Sequence, residues 1–205
     1  METALGLSPH MGWACAAAVL IDGGIPTAVR TFRLTTGDRA HPESIEPYHA
    51  AAGYRGARRV EPPADPERVV REGLRRQRRH TSADLARLLG QLEDWPAPRR
   101  AALFVGRGRE GSSLERILAS HAQIHVAEGN AVRESIRRAL AGPDITVLEV
   151  DRRDVAADVR ARLGLEEAAA SQRLKGLCPD NGGPWRQEER SCALAAWLSL
   201  AVARP

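Results

Sequence analysis

The first part of the chain alternates short apolar runs with turn signals. Residues 4–7 form an apolar run that stops at Ser8, and residues 13–21 form a second run that stops at Asp22, just before two glycines. Glycine pairs after an apolar run are typical of tight turns. Residues 27–34 then alternate apolar and polar positions, as a half-buried strand does. The pattern predicts three consecutive antiparallel strands.

The rest of the chain combines helical patterns with two further segments that are expected to form strands. Helical spacing begins at Asp65, a favourable N-cap ahead of a proline. Residues 101–105 are a continuous apolar run, which indicates a buried strand, and residues 145–150 are expected to form another short strand. A helical pattern over residues 113–140 lies between them, with a bend expected at Gly129. Further helices are expected over residues 82–92 (capped by Ser82), from Asp151 or Asp154 to residue 163, and over residues 165–176 and 185–203.

The order of these elements predicts the fold class. Three antiparallel strands followed by alternating helices and strands indicate an α/β fold, with a mixed sheet and helices on both faces. Residues 35–66 are rich in Gly, Pro and Ala and show no sustained period, so they are expected to form a long loop insertion. A length of 205 residues suits one domain, and we expect a single domain over residues 1–205.

Composition and charge exclude some classes of protein. No stretch approaches the roughly 18 apolar residues that a membrane span needs, so a cytoplasmic protein with no membrane partner is expected. The three cysteines are odd in number and widely separated, which argues against a disulfide framework. The net charge is +4 and the pI is near 9.5, which permits an acidic partner such as DNA or RNA.

Three segments resemble one known family. The segment LGLSPHMGWACAAAVL (residues 5–20) resembles the first hairpin of RuvC-type resolvases and their relatives, which reads G-[IL]-D-P-G-x-x-x-x-G-[WY]-[AG]. Residues 102–159 resemble the fourth strand, long helix, fifth strand and following helix of that family, and residues 185–202 resemble its last helix. The chain is therefore similar to the RuvC-like branch of the RNase H-like superfamily over most of its length, apart from residues 35–59.

The resemblance implies a fold, an ancestry and a site. The fold is an RNase H-like mixed five-stranded sheet, with three antiparallel strands followed by two parallel strands. The ancestry is that of nucleases which act on structured nucleic acid and form homodimers. In such enzymes carboxylates hold two divalent metal ions, which activate water and stabilise the leaving oxygen of a phosphodiester.

The positions of the family's carboxylates are mostly changed in this chain. Ser8 replaces the aspartate of the first strand, and Gly106 or Arg107 replaces the glutamate that follows the fourth strand. Only the last helix keeps acidic residues at the matching place, Glu188 and Glu189. A two-metal site of the usual kind is therefore not expected.

Histidines near these positions offer an alternative site. His10 follows the first strand, and His121, His125 and Glu128 lie at i, i+4 and i+7 on one helical face. We expect His121, His125 and Glu188 to ligate a divalent metal (Mn, Mg or Zn), or the histidines to act as a metal-free acid and base. Structural roles for these residues stay open. The two helix histidines would then lie at the rim of a packing face, and Glu188 would be an acidic residue of the first helical turn that complements the helix dipole.

Two further groups of residues belong to the predicted site. Ser8 and His10 flank Pro9 at the mouth of the expected site, where they either take part in catalysis or only shape the turn. An arginine-rich segment follows Asp65 and would contact phosphates, unless it is simply a solvated helix face. The residues expected to bind nucleic acid are Arg68, Arg71, Arg75, Arg76, Arg79, Arg107 and Arg109.

The sequence leaves three functions open. The first is a divergent RuvC-like protein that binds structured nucleic acid and cleaves it at a non-standard His/Glu site. The second is a catalytically inactive RNase H-fold module that binds nucleic acid or protein. The third is an actin-like ATPase, which would need a G-x-D-x-G phosphate turn where this chain has Gly6 to His10. The sequence does not decide whether the protein is an enzyme.

Overall fold

The computed structural model describes residues 1–56, 58–106, 108 and 113–201 of the chain. Its centre is one five-stranded sheet in the order β3-β2-β1-β4-β5. The strands are β1 (Glu2–His10), β2 (Trp13–Asp22), β3 (Ile25–Thr35), β4 (Arg100–Val105) and β5 (Thr146–Asp151). Strand β1 pairs antiparallel with β2 and parallel with β4, and β3 and β5 extend the sheet antiparallel and parallel respectively. The predicted mixed sheet is confirmed.

Helices cover both faces of this sheet. They are α1 (Pro47–Ala51), α2 (Pro66–Gly90), α3 (Leu114–Leu118), α4 (His121–Ala141), α5 (Val155–Asp158), α6 (Glu167–Lys175) and α7 (Gln187–Leu200). One turn of π-helix (Val159–Leu163) follows α5. The two faces have separate apolar cores: one is filled by α7 with α6, and the other by α2 with α4. None of the helices in the described part of the chain combines the length and the apolar character that crossing a bilayer requires.

Alternation along β1 decides which side chains reach which helix. Leu5 and Leu7 belong to the core under α2 and α4, whereas Ala4 belongs to the core under α7. Because successive side chains of a strand point to opposite faces, Ser8 and His10 lie on the α7 side. Gly6 lies on that side too: an added Cβ would stand 1.8 Å from the carbonyl oxygen of Cys192, so only glycine lets α7 approach so closely.

Two helix boundaries differ from the prediction. Ser82 does not begin a helix, because α2 runs unbroken from Pro66 to Gly90 and the side chain of Thr81 inside it bonds the carbonyl of Gln77 and the hydroxyl of Ser135 on α4. The long helical pattern is broken at residues 119–120 and not at Gly129. Ser120 caps α4 by accepting a hydrogen bond from the backbone of Gln123.

The predicted loop over residues 35–66 has structure of its own. It contains a 3-10 turn (Pro42–Ser44), helix α1, and a two-residue ladder between Tyr54–Arg55 and Arg58–Arg59. This segment packs closely on α2, since a Cβ on Gly73 would stand 2.2 Å from the carbonyl oxygen of Glu43. It also packs on α3 and α4 through a small apolar cluster. Helix α1 is thereby held against the first half of α4.

Candidate functional site

Ser8, His10 and Glu188 converge at the carboxyl end of β1. The Ser8 hydroxyl donates to Oε1 of Glu188 at 2.8 Å, and Nε2 of His10 lies 2.6 Å from the same oxygen. Arg152 joins them: its Nη2 donates to the Ser8 hydroxyl at 2.6 Å and lies 3.8 Å from Glu188 Oε1. One carboxylate oxygen thus faces a hydroxyl, an imidazole and a guanidinium. We call these four residues the β1 cluster.

The β1 cluster holds its carboxylate ionised. Burial by itself would raise the pKa of Glu188, but the hydrogen bonds from Ser8 and His10, together with the charges of His10 and Arg152, hold that pKa below its usual range. Arg152 lies over the ring of Phe104, with its guanidinium carbon 4.3 Å from the ring centroid. The guanidinium balances the charge that a metal ion would otherwise balance. A single carboxylate in this state does not make a two-metal site.

Sequence reasoning missed Arg152, although a signal for it exists. Arg152 directly follows β5, whose carboxyl end meets those of β1 and β4 at one edge of the sheet. Ligands of open α/β sheets bind at this edge. A charged residue directly after a predicted strand was therefore a candidate.

Three histidines form a second group, which we call the imidazole cluster: His49, His121 and His125. One ring nitrogen from each lies within 4.8 Å of the others, and Nε2 of His121 is 3.0 Å from Nε2 of His125. His49 is buried, whereas the other two histidines are exposed. Burial, and then the neighbouring charges of His49 and His121, lower the pKa of His125.

Glu128 supports the imidazole cluster from inside the protein. Its Oε1 accepts hydrogen bonds from the backbone nitrogens of Tyr48 (2.8 Å) and His49 (2.9 Å), and it lies 3.3 Å from Nδ1 of His49. Glu128 is only 1% exposed, and its Oε2 has no hydrogen-bond partner within the described residues. Burial raises the pKa of Glu128, and the hydrogen bond to Glu128 raises the pKa of His49.

The predicted metal set is divided between the two groups. Glu188 lies with Ser8 and His10, whereas His121 and His125 lie with His49. The separation has a topological cause, because α7 and α4 pack on opposite faces of the sheet. Sequence reasoning did not include His49 among the ligands, because no periodic pattern linked α1 to α4. Its only signal was a histidine in the segment EPYHAAAGY.

The donor atoms of the imidazole cluster favour particular ions. Imidazole suits Zn²⁺ and neighbouring transition metals, whereas Mg²⁺ prefers octahedral oxygen ligands. Three nitrogen ligands plus one open position is also the arrangement of many catalytic zinc sites. Of the ions expected from the sequence, Zn²⁺ fits these residues better than Mg²⁺.

The predicted arginines lie on α2, apart from two. Arg68, Arg71, Arg75 and Arg79 are exposed, and half-buried Arg76 lies 3.5 Å from a carboxylate oxygen of Glu43. Arg107 and Arg109 lie outside the described residues. Sequence reasoning left out Arg78, which is also exposed.

Four arginines of α2 have no ion-pair partner within the part of the chain that the structure describes: Arg71, Arg75, Arg78 and Arg79, which we call the arginine face. At 100° per residue they fall within an arc of about 100° around the helix axis. Arg68 is different, since it lies 3.8 Å from Asp65 and 3.9 Å from Glu72. The arginine face is therefore a stripe of unneutralised positive charge.

The order and direction of the five strands decide the fold class. The fold is RNase H-like. The mixed sheet that the resemblance implied, with three antiparallel strands followed by two parallel strands, is confirmed.

The comparisons with known proteins give the following findings. The chain is similar to a structure of Thermus thermophilus RuvC, with 12% identity, 96% of this chain and 92% of that chain covered, and a TM-score of 0.48. It is also similar to T. thermophilus RuvC in complex with a Holliday junction substrate, with 13% identity, coverage of 97% and 92%, and a TM-score of 0.49. No protein-family model and no curated protein matches the chain.

Proposed function

We propose that this protein binds nucleic acid through its phosphate backbone, with the arginine face of α2 as the main contact. The observation behind this proposal is the set of four exposed guanidinium groups without ion-pair partners in the described chain. A guanidinium presents donors in a fork that fits two phosphate oxygens, and it keeps its charge at any physiological pH. Such contacts position the ligand and do not read its bases.

The position of α2 supports the same proposal. Helix α2 packs beside α1 and α4, so the start of the arginine face and the imidazole cluster lie at the same end of the molecule. That end is also the end at which β1 and β4 finish, because α4 returns antiparallel to the parallel strands that it connects. A strand held at the start of the arginine face would therefore lie at the end of the molecule that carries the imidazole cluster and the β1 cluster.

Fluorescence anisotropy with labelled ligands tests the proposal. A four-way junction, a duplex and a single strand of equal length are titrated with the full chain, with an R71A/R75A variant and with an R99A/R100A variant. Arg99 and Arg100 are exposed like the first pair but lie at the start of β4, at the opposite end of the sheet from the two clusters, so they control for the loss of two charges. We expect R71A/R75A to weaken binding at least tenfold and the control to change it less than threefold. Equal losses in both variants would contradict the assignment to α2.

Cleavage of the bound strand is the second candidate function, and the imidazole cluster is the observation that favours it. Hydrolysis of a phosphodiester would use a divalent ion (Mn, Mg or Zn) to supply a metal-bound hydroxide near neutral pH. Incubation of an end-labelled junction with each ion, or with a chelator, tests this function. Loss of ion-dependent cleavage in an H121A/H125A variant is expected, with H41A as the histidine control.

The absence of cleavage with every ion would favour the alternative, a catalytically inactive binding module, and would leave the binding proposal intact. The homodimer, the single-domain organisation over residues 1–205 and the cytoplasmic location stay predictions.

A further inference from the structure

The imidazole cluster has nearly the dimensions of a transition-metal site. Zinc–nitrogen bonds of 2.0–2.1 Å at tetrahedral angles place ligand nitrogens about 3.3–3.4 Å apart. The Nε2 atoms of His121 and His125 are 3.0 Å apart, close to that edge length. The largest separation within the cluster, 4.8 Å, would have to close by about 1.5 Å, through rotation of the side chains, for all three nitrogens to bind one ion.

Glu128 supplies the carboxylate that often accepts a hydrogen bond from the second ring nitrogen of a metal-binding histidine. Ligating histidines commonly donate their other ring N–H to a carboxylate, which fixes the tautomer and the ring orientation. Nδ1 of His49 faces Oε1 of Glu128 at 3.3 Å, so Nε2 of His49 is the atom left for an ion. The same oxygen also binds the backbone nitrogens of Tyr48 and His49, which fixes the first turn of α1 and therefore the position of the ligand.

Burial of Glu128 is a second, independent indication of a cation. Burying a carboxylate is costly unless it is paired and hydrogen-bonded. Glu128 is 1% exposed, yet its Oε2 has no partner within the described residues. A divalent ion on Nε2 of His49 would add positive charge on the far side of the imidazole ring from this buried carboxylate.

We infer that His49, His121 and His125 bind one divalent transition-metal ion of the zinc class, with Glu128 as the positioning residue. Three protein ligands leave one coordination position, and the exposure of His121 and His125 opens that position to solvent. The ion also joins α1, from the segment inserted after β3, to the first turn and a half of α4. This site differs in place and in donor type from the carboxylate positions at the end of β1.

Metal titration of the full chain tests the inference without any nucleic acid. Protein freed of metal with a chelator is titrated with Zn²⁺ by calorimetry and with Co²⁺ by visible spectroscopy. We expect one ion per chain and the intense ligand-field bands of four-coordinate Co²⁺. H121A and H125A should each weaken binding more than 100-fold, and E128Q should weaken it 10- to 100-fold, the usual effect of removing a supporting partner. H41A, in which a half-exposed histidine of the same inserted segment is removed, should bind as the parent does.

The outcomes separate this inference from the proposed function. No saturable binding of Zn²⁺ or Co²⁺, or equal binding by H121A and H41A, would overturn the metal site whatever the nucleic-acid result. Because His121 and His125 are exposed, their variants should fold, and circular dichroism checks that they do. Saturable binding that H121A, H125A and E128Q weaken supports the site even if no nucleic acid binds.

Discussion

The salt dependence of nucleic-acid binding gives a quantitative test of the arginine face. Each phosphate neutralised on a B-form duplex contributes about −0.9 to the slope of log K against log salt concentration. Four unpaired arginines would therefore contribute a slope of about −3.6. A fourfold rise in salt concentration, from 50 to 200 mM, then weakens binding by about 150-fold through these four contacts alone.

Removing all four arginines of the arginine face tests this estimate of the slope. We expect a variant with Arg71, Arg75, Arg78 and Arg79 changed to alanine to lose about 3 to 4 from the absolute slope. Anisotropy titrations of one duplex at five salt concentrations between 50 and 200 mM measure both slopes. A parent slope near zero, or equal slopes for the two proteins, would show that these arginines make no phosphate contacts.

Two stability predictions follow from the packing. G6A should lower the free energy of unfolding by about 3 kcal/mol, because the new Cβ would stand 1.8 Å from the carbonyl oxygen of Cys192. Urea titrations measure this loss, and a loss below about 1 kcal/mol would mean that α7 shifts freely. Burial favours a raised pKa for Asp84, but the hydrogen bonds from Arg87 and the Thr35 backbone hold it below its usual range. A carboxylate with a lowered folded-state pKa stabilises above its unfolded pKa of about 3.9 and loses that contribution as the pH falls further. D84N should therefore be about 1–2 kcal/mol less stable than the parent at pH 7, and the difference should shrink below about pH 4; a constant difference down to pH 3 would contradict this.

The strands of the sheet were predicted well, because turn residues and the alternation of apolar and polar positions depend only on neighbouring residues in the sequence. The turn at Gly23 and Gly24 and the alternation over residues 27–34 placed β2 and β3 within two residues of their observed ends. The strand patterns over residues 101–105 and 145–150 placed β4 and β5. Strand β1 extends further, to His10, because pairing with β2 continues past the apolar run. Pairing of that kind is set by the partner strand and not by the residues of the run alone.

Helix boundaries were predicted less well, because tertiary contacts override local capping signals. Ser82 has the residue type of an N-cap but lies inside α2, where Thr81 binds Ser135 on α4 and the apolar face continues from Val70 to Leu88. Ser120 is equally suited to a cap and does cap α4. Nothing in the neighbouring sequence distinguishes the two serines as clearly as their packing does.

The candidate site was predicted only in part, for the same reason. Ser8, His10 and Glu188 converge as the resemblance implied, since strand and helix positions fix them. His49 belongs to a segment without periodicity, and only its packing on α4 brings it to His121. Contacts between elements far apart in sequence therefore define the imidazole cluster.

The β1 cluster and the imidazole cluster differ in how the charge of their carboxylate is balanced. At the β1 cluster, Arg152 balances the remaining carboxylate, so no ion is required there. At the imidazole cluster, a buried carboxylate lies behind three nitrogen ligands. We therefore assign the proposed metal to the imidazoles and not to the acidic positions that the resemblance emphasises.

X-ray absorption at the zinc edge, on the full chain loaded with one equivalent of Zn²⁺, tests this assignment most directly. We expect three imidazole nitrogens at about 2.0–2.1 Å with one further light atom, and the loss of one or more of the imidazoles in H121A. An ion surrounded mainly by oxygen, or a spectrum that H121A leaves unchanged while E188Q alters it, would contradict the account and return the metal to the end of β1.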